Sequence, residues 1–131
     1  MSTKKNSEEN TENKRYKKFQ DSLKALEDAL IHKDKVNSDT IYMLGISKAY
    51  EVALEYAWKY FKWCAEQEEL EPYSPKESVK MAGQINLISD VALWLDFLKQ
   101  RNLAVHDYIG VSDTSYLAVI QKFLTEAKKV R

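Results

Sequence analysis

One long amphipathic helix is predicted by the sequence TIYMLGISKAYEVALEYAWKYFKWCAEQEE, residues 40–69. Its charged residues recur at helical spacing in one narrow stripe, and apolar or aromatic residues fill the rest of its circumference. The stripe consists of Glu51, Glu55, Lys59, Lys62 and Glu66. So wide an apolar arc has two explanations: the helix is wrapped by its own neighbours, or part of it packs against a second copy. We favour the second explanation, which predicts a homodimer.

A first helix is predicted from about Tyr16 to His32, before a polar loop. Its apolar stripe consists of Phe19, Leu23, Leu26 and Leu30. Ser38 or Asp39 then caps the long helix, since both side chains accept hydrogen bonds from free backbone N–H groups.

A short third helix is predicted after the long one. Ser74 is a good N-cap, Pro75 fits the first helical position, and Glu77 completes a capping box. Gly83 is expected to end this helix, because glycine is the usual residue after a helix C-terminus.

Two further helices complete the prediction. The fourth starts near Ser89 or Asp90, and Ser112 or Asp113 caps the fifth after a turn. The apolar face of the fourth consists of Val91, Trp94, Phe97, Leu98 and Val105, and the seam of the fifth consists of Leu117, Ile120, Leu124 and Ala127. Strand patterns are absent. The fold class is therefore all-α: an up-and-down four-helix bundle with one extra short helix.

The domain organisation follows from the polarity of the N-terminal segment. Residues 1–14 contain no apolar residue after Met1, so we expect a disordered polar tail. Residues 15–131 then form a single helical domain. The chain has no apolar run long enough to span a membrane and no secretory signal, so we expect a cytoplasmic protein.

Composition excludes several classes of protein. Lys plus Arg and Asp plus Glu both number 20, so the formal net charge is zero and any contact with RNA must be local. Cys64 is the single cysteine, which excludes an intramolecular disulfide and thiolate zinc sites. No Glu-x-x-His pair and no Gly-rich phosphate loop occurs. We therefore expect no metal and no cofactor.

Arg101 does not fit an ordinary bundle. At about 100° per residue, its position on the fourth helix lies among Trp94, Phe97 and Leu98, on the apolar face. A charged group there is costly unless it is paired. Arginine suits a position where a planar, permanently charged group must hold a phosphate or a carboxylate. Alternatively, Arg101 simply pairs with a carboxylate such as Asp90.

Three further candidate site residues, Asn102, His106 and Tyr108, follow Arg101. Asn102 and His106 share a helix face, whereas Arg101 and His106 differ by about 140° on a regular helix. A distortion near Val105, or a site shared between two subunits, would bring them together. His106 can also be a favourable C-terminal charge, and Tyr108 a core aromatic residue. These ordinary explanations and the functional one are about equally supported.

The segment RNLAVHDY, residues 101–108, resembles the Arg-x4-His-x-Tyr motif of HEPN-domain proteins. YEVALEYAWKYFK (50–62), SPKESVKMAG (74–83) and LWLDFLKQRNLAVHDY (93–108) are similar to the nucleotidyltransferase substrate-binding proteins within that group. The resemblance covers about residues 16–130.

The resemblance implies a dimeric bundle of four up-and-down helices that binds a minimal nucleotidyltransferase. Some such proteins are toxins that cut RNA without a metal, and the nucleotidyltransferase is the antitoxin that transfers AMP to the motif tyrosine. Carried over to this sequence, Arg101, Asn102 and His106 are the catalytic residues, and Tyr108 is the modified one. His106 acts as general acid or base, Arg101 stabilises charge on the phosphate, and Asn102 orients either of them.

Three functions remain open at this point. The protein is either such a ribonuclease, with RNA as its substrate, or a non-catalytic subunit that binds nucleotide or regulates the nucleotidyltransferase. The third possibility is a purely structural dimerisation bundle.

Overall fold

The computed structural model describes the backbone of residues 2–106 and 113–131, and the side chains of residues 14–104 and 113–131. These parts of the chain are helical and contain no strand. The five α-helices are α1 (Ser2–Leu30), α2 (Thr40–Gln67), α3 (Pro75–Gln84), α4 (Val91–His106) and α5 (Asp113–Ala127), with a 3₁₀ turn at Lys33–Lys35. The predicted all-α class is confirmed. Within the described residues, no helix is long and apolar enough to cross a membrane.

The helix α1 begins earlier than the predicted start near Tyr16. Its helical backbone extends back to Ser2, through a segment rich in lysine and glutamate, which are good helix formers. The four predicted apolar residues of α1 are all buried, as expected for the core-facing stripe. The side chains of residues 1–13 lie outside the described part of the chain, and the disorder expected for residues 1–14 stays a prediction.

The helix α2 is the central element, because it packs against each of the other four α-helices. Its buried face is centred on Tyr50, Leu54 and Phe61. Val52, Tyr56 and Trp63 are only half-buried. The neighbours of α2 therefore account for most of its apolar arc within one chain, so the width of that arc does not by itself require a second subunit.

Local hydrogen bonds confirm the predicted start of α3 and correct its end. Ser74 Oγ accepts a hydrogen bond from the Glu77 N–H at 3.0 Å. Gly83 does not end the helix, which continues to Gln84. The chain leaves the helix at Asn86, which has a left-handed φ of 65°, and the following N–H, of Leu87, donates to the Ala82 carbonyl at 2.9 Å.

Gly83 is required for packing instead. A Cβ atom at this position would collide with Cγ2 of Val91, so glycine allows the backbone of α3 to approach the first turn of α4 closely. Asp90 starts that turn as predicted, because its Oδ1 accepts a hydrogen bond from the Leu93 N–H at 3.0 Å.

The core is aromatic where α2, α4 and α5 meet. The Trp94 ring makes edge-on contacts with Phe61, Phe97 and Phe123, with ring centroids 5.1, 5.5 and 5.5 Å apart. The buried stripe of α5 consists of Tyr116, Ile120, Phe123 and Ala127. Leu117 and Leu124, which were predicted in its seam, lie half-buried beside it. The predicted cap Ser112 and the predicted turn before it lie outside the described residues.

Candidate functional site

Arg101 lies at the surface, beside the buried face of α4. Trp94 and Phe97 precede it on that face and are buried, but the Arg101 side chain keeps 41% of its surface exposed. The prediction that Arg101 sits in the middle of the apolar face is therefore wrong. Its long apolar stem covers the edge of the core, while the guanidinium reaches water.

The guanidinium of Arg101 has two polar neighbours among the described residues. Its Nε lies 3.9 Å from Oε1 of Glu51, on α2. Its Nη1 donates a hydrogen bond of 3.2 Å to Oδ1 of Asn102. Asp90, which the sequence offered as a partner for Arg101, caps α4 instead.

A buried hydrogen bond fixes α4 one turn before Arg101. The Tyr50 hydroxyl donates to the Phe97 carbonyl at 2.8 Å. Burial raises the pKa of Tyr50 far above its ordinary value, the nearby Tyr116 and Asp96 raise it further, and Arg101 lowers it. Tyr50 therefore keeps its proton at neutral pH, and the hydroxyl stays a donor. This hydrogen bond ties the backbone that carries Arg101 to the middle of α2.

An open groove of about 870 Å³ runs along this part of the surface. Its walls are α2 and α4, and the first turn of α3 closes one end. Three acidic and three basic side chains line it, together with apolar residues that include Trp58 and Leu98: Glu51, Glu55, Asp96, Lys76, Lys99 and Arg101. Arg101 and Asn102 lie in its lining. The groove is therefore neutral in total charge and can receive a ligand that offers both a phosphate and an apolar group.

The backbone of α4 stays α-helical as far as His106. A distortion near Val105 is therefore not what brings Arg101 and His106 together, and their positions on the helix differ by about 140°. Asn102 and His106, four residues apart, share a face of α4. The side chains of Val105 and His106, and the whole of Tyr108, lie outside the described residues.

Two residues beside Arg101 were missed by sequence reasoning. Glu51 was assigned to the solvated stripe of α2, yet only 24% of its side chain is exposed and it faces Arg101. Tyr50 was assigned only to the apolar and aromatic arc of the same helix. No feature of a single sequence links either residue to Arg101, because the pairs are formed by packing of α2 against α4.

The family to which the chain belongs is identified by its sequence profile. The profile of the family described as nucleotidyltransferase substrate binding protein like matches residues 14–131. The chain belongs to this family. The resemblance drawn from residues 50–62, 74–83 and 93–108 is thereby confirmed. A comparison with curated proteins finds no match.

A solved structure confirms the HEPN-like fold of this family member. It is the tri-AMPylated HEPN toxin of Shewanella oneidensis in complex with MNT antitoxin. The two chains superpose with a TM-score of 0.77 at 17% sequence identity, over 90% of this chain and 91% of the other. At this identity the likeness establishes the fold alone.

The described residues of this family member contain no group of three or more His, Cys, Asp or Glu side chains that could hold a metal ion. Cys64 is half-buried in α2. The polar groups brought together at the groove are Arg101, Asn102 and Glu51.

Proposed function

We propose that this protein is the toxin of a toxin–antitoxin pair, a metal-independent endoribonuclease of the cytoplasm that a minimal nucleotidyltransferase silences by transferring AMP to Tyr108. The observation that carries the proposal is the position of Arg101 on a HEPN-like fold. Its guanidinium is half-exposed in a groove and keeps hydrogen-bond donors that neither Glu51 nor Asn102 uses.

The proposed reaction needs only RNA and protein groups. The 2′-hydroxyl of RNA attacks the adjacent phosphorus, and His106 takes the proton of that hydroxyl as general base. The bond from phosphorus to the 5′-oxygen breaks, the leaving oxygen takes a proton from water, and a 2′,3′-cyclic phosphate remains. Arg101 stabilises the negative charge that builds up on the phosphate oxygens, and Asn102 orients the guanidinium through its hydrogen bond.

A homodimer supports this proposal by completing the site. Because α4 is regular through His106, one chain presents Arg101 and His106 about 140° apart. A second copy, related by a two-fold axis at this end of α4, supplies His106 opposite the Arg101 of the first. Leu103, which is 44% exposed beside Asn102, is an apolar residue suited to that contact. Light scattering at micromolar concentration should give the mass of a dimer, and a monomer there would contradict this part of the proposal.

Two observations support the proposed partner. The chain belongs to a family described by nucleotidyltransferase substrate binding, and the structural neighbour is itself AMPylated and bound to an MNT antitoxin. Co-expression with a minimal nucleotidyltransferase and ATP should add AMP, detected by intact mass, and Tyr108→Phe should abolish the addition. Unchanged modification of Tyr108→Phe would put the acceptor elsewhere.

Cleavage of RNA in EDTA tests the catalytic proposal. His106→Ala should lose about 10²–10⁴-fold in rate, and Arg101→Ala about 10²–10³-fold. Matched controls are His32→Ala, on the loop after α1, and Arg15→Ala, which is exposed on α1. Both should cleave at the wild-type rate.

Two outcomes would overturn the catalytic assignment. Cleavage that survives His106→Ala would leave a nuclease with a different site. No cleavage by the wild type, with retained binding of nucleotide or nucleotidyltransferase, would favour the non-catalytic regulatory subunit. Circular dichroism should show that Arg101→Ala stays folded, because the guanidinium is at the surface.

A further inference from the structure

We propose that Glu51 is a positioning residue for Arg101: its carboxylate sets the orientation of the guanidinium before a phosphate arrives. The proposal rests on the proposed function, since it assigns to Arg101 the binding of a phosphate. It adds a residue from α2, distant in sequence, to a site otherwise built from the end of α4.

The first support is the environment of the Glu51 carboxylate. Only 24% of the Glu51 side chain is exposed, so its charge is poorly hydrated and needs a partner. Among the described residues, the cationic group paired with Glu51 is Arg101, at 3.9 Å from Nε. Glu55, one turn further along the same wall of the groove, pairs with Lys59 at 3.2 Å instead. The contact to Arg101 is thus specific to the position of Glu51.

The second support is the geometry of the guanidinium. A guanidinium is planar, so fixing two of its three nitrogens fixes the direction of the third. Glu51 lies opposite Nε, and Asn102 accepts a hydrogen bond from Nη1. The Nη2 group carries two further N–H donors, one of them parallel to Nε–H, which Glu51 and Asn102 leave available to a phosphate oxygen.

The third support is the rigidity of the segment that carries the carboxylate. Glu51 follows Tyr50 directly, and Tyr50 is buried and bonded to the Phe97 carbonyl of α4. Tyr50 therefore holds the backbone of α4, and the adjacent Glu51 contacts the side chain of Arg101. A separation of 3.9 Å is long for a hydrogen bond, so the carboxylate orients the guanidinium through charge and leaves its N–H donors to a phosphate.

A positioning carboxylate makes opposite contributions to binding and to rate. Its negative charge repels RNA phosphates and raises KM, whereas its hold on Arg101 raises kcat. Glu51→Gln should therefore lower KM by about fivefold, the order expected for one charge at close range in water. It should also lower kcat by about tenfold, because small misplacements of a catalytic group cost up to about 10²-fold. A merely structural role would not produce this split.

Glu55→Gln is the matched control variant. It removes the same charge from the same wall but leaves the pair with Arg101 intact. Its KM should fall by a similar factor, with kcat within about twofold of the wild type. Equal kcat losses in Glu51→Gln and Glu55→Gln, or an unchanged kcat in Glu51→Gln, would overturn the proposal.

A second measurement does not depend on cleavage. The chain has three arginines, Arg15, Arg101 and Arg131, so their Nε–H groups give few signals in a proton–nitrogen NMR spectrum, and Arg101→Lys assigns the relevant one. Glu51→Gln should shift the Arg101 signal and accelerate its exchange with water, and Glu55→Gln should not. AMP, added as a phosphate probe, should shift the same signal in the wild type.

The NMR and cleavage measurements distinguish failure of the positioning role from failure of the proposed ribonuclease function. An Arg101 signal that is the same in the wild type and in Glu51→Gln refutes the positioning role, whatever the nuclease activity. A signal that responds to Glu51→Gln and to AMP, in a protein that cleaves no RNA, supports the positioning role and refutes the ribonuclease.

Discussion

Replacing Gly83 by alanine tests the close contact between α3 and α4. Alanine is more favourable than glycine inside a helix by about 0.5–1 kcal/mol. At this position the added Cβ would collide with Cγ2 of Val91, and overpacking typically costs about 1–3 kcal/mol. Valine is stiff at its χ1 angle, so it cannot turn away freely. We therefore expect Gly83→Ala to destabilise the protein by about 1 kcal/mol, which lowers Tm by about 3–5 °C for a chain of this length.

The sign of the effect should reverse when the colliding atoms are removed. In a Val91→Ala background, Gly83→Ala keeps only the helical advantage and should stabilise by about 0.5–1 kcal/mol. Gly45→Ala is the matched control, because a Cβ at this exposed glycine of α2 would meet nothing within 4 Å. It should stabilise the protein in both backgrounds. Thermal unfolding of Gly83→Ala and Gly45→Ala, in the wild-type and the Val91→Ala backgrounds and each against its parent protein, measures these stability changes. A Gly83→Ala that stabilises the wild type as much as Gly45→Ala does refutes the packing role.

Three further predictions concern stability. Tyr50→Phe should cost about 0.5–1.5 kcal/mol in urea unfolding, because it loses the buried hydrogen bond to the Phe97 carbonyl. Glu69→Gly should raise Tm slightly, since Glu69 has a left-handed φ of 62°, which favours glycine. The hydrogen bond and then the charge of Lys128 hold the pKa of Glu27 below its ordinary 4.5. This contact stabilises at neutral pH and is lost as the pH falls through the lowered pKa, so Glu27→Gln should flatten the acid limb of the stability profile.

The parts of the fold that were predictable depend on local chemistry. The stripe of α1, the Ser74 cap and the Asp90 cap each follow from side chains within a few residues of one another, and all three were confirmed. The end of α3 was not predictable in the same way. Glycine is the usual terminating residue, but Gly83 serves a contact with Val91, and Asn86 adopts the left-handed conformation instead. Both residue types tolerate that conformation, so only the packing of α4 decides between them.

In the candidate site, too, the features that depend on packing between helices were not predictable from the sequence. The motif residues of α4 were predicted from a family resemblance and stay a prediction, whereas the depth predicted for Arg101 was wrong. An angular position on a helix gives the direction of a residue, whereas its exposure depends on which neighbours cover that end of the helix. Here Phe97 is buried against Trp94 and against Phe123 of α5, whereas Arg101 is left half-exposed beside Glu51. The partner of Arg101 lies 50 positions away in the chain, beyond any local pattern.

Two consecutive residues of α2 thus contact α4 at different points. Tyr50 is completely buried and fixes the backbone of α4 through the Phe97 carbonyl, while Glu51 faces the groove and contacts the guanidinium carried one turn later. The backbone contact lies inside the aromatic core. We therefore expect a ligand that binds in the groove to move the Arg101 side chain without moving α4. The energetic consequence is that Tyr50→Phe should lower stability with little effect on the Arg101 Nε–H signal, whereas Glu51→Gln should change that signal with little effect on stability. Equal responses to both changes would mean that the two contacts form one coupled unit.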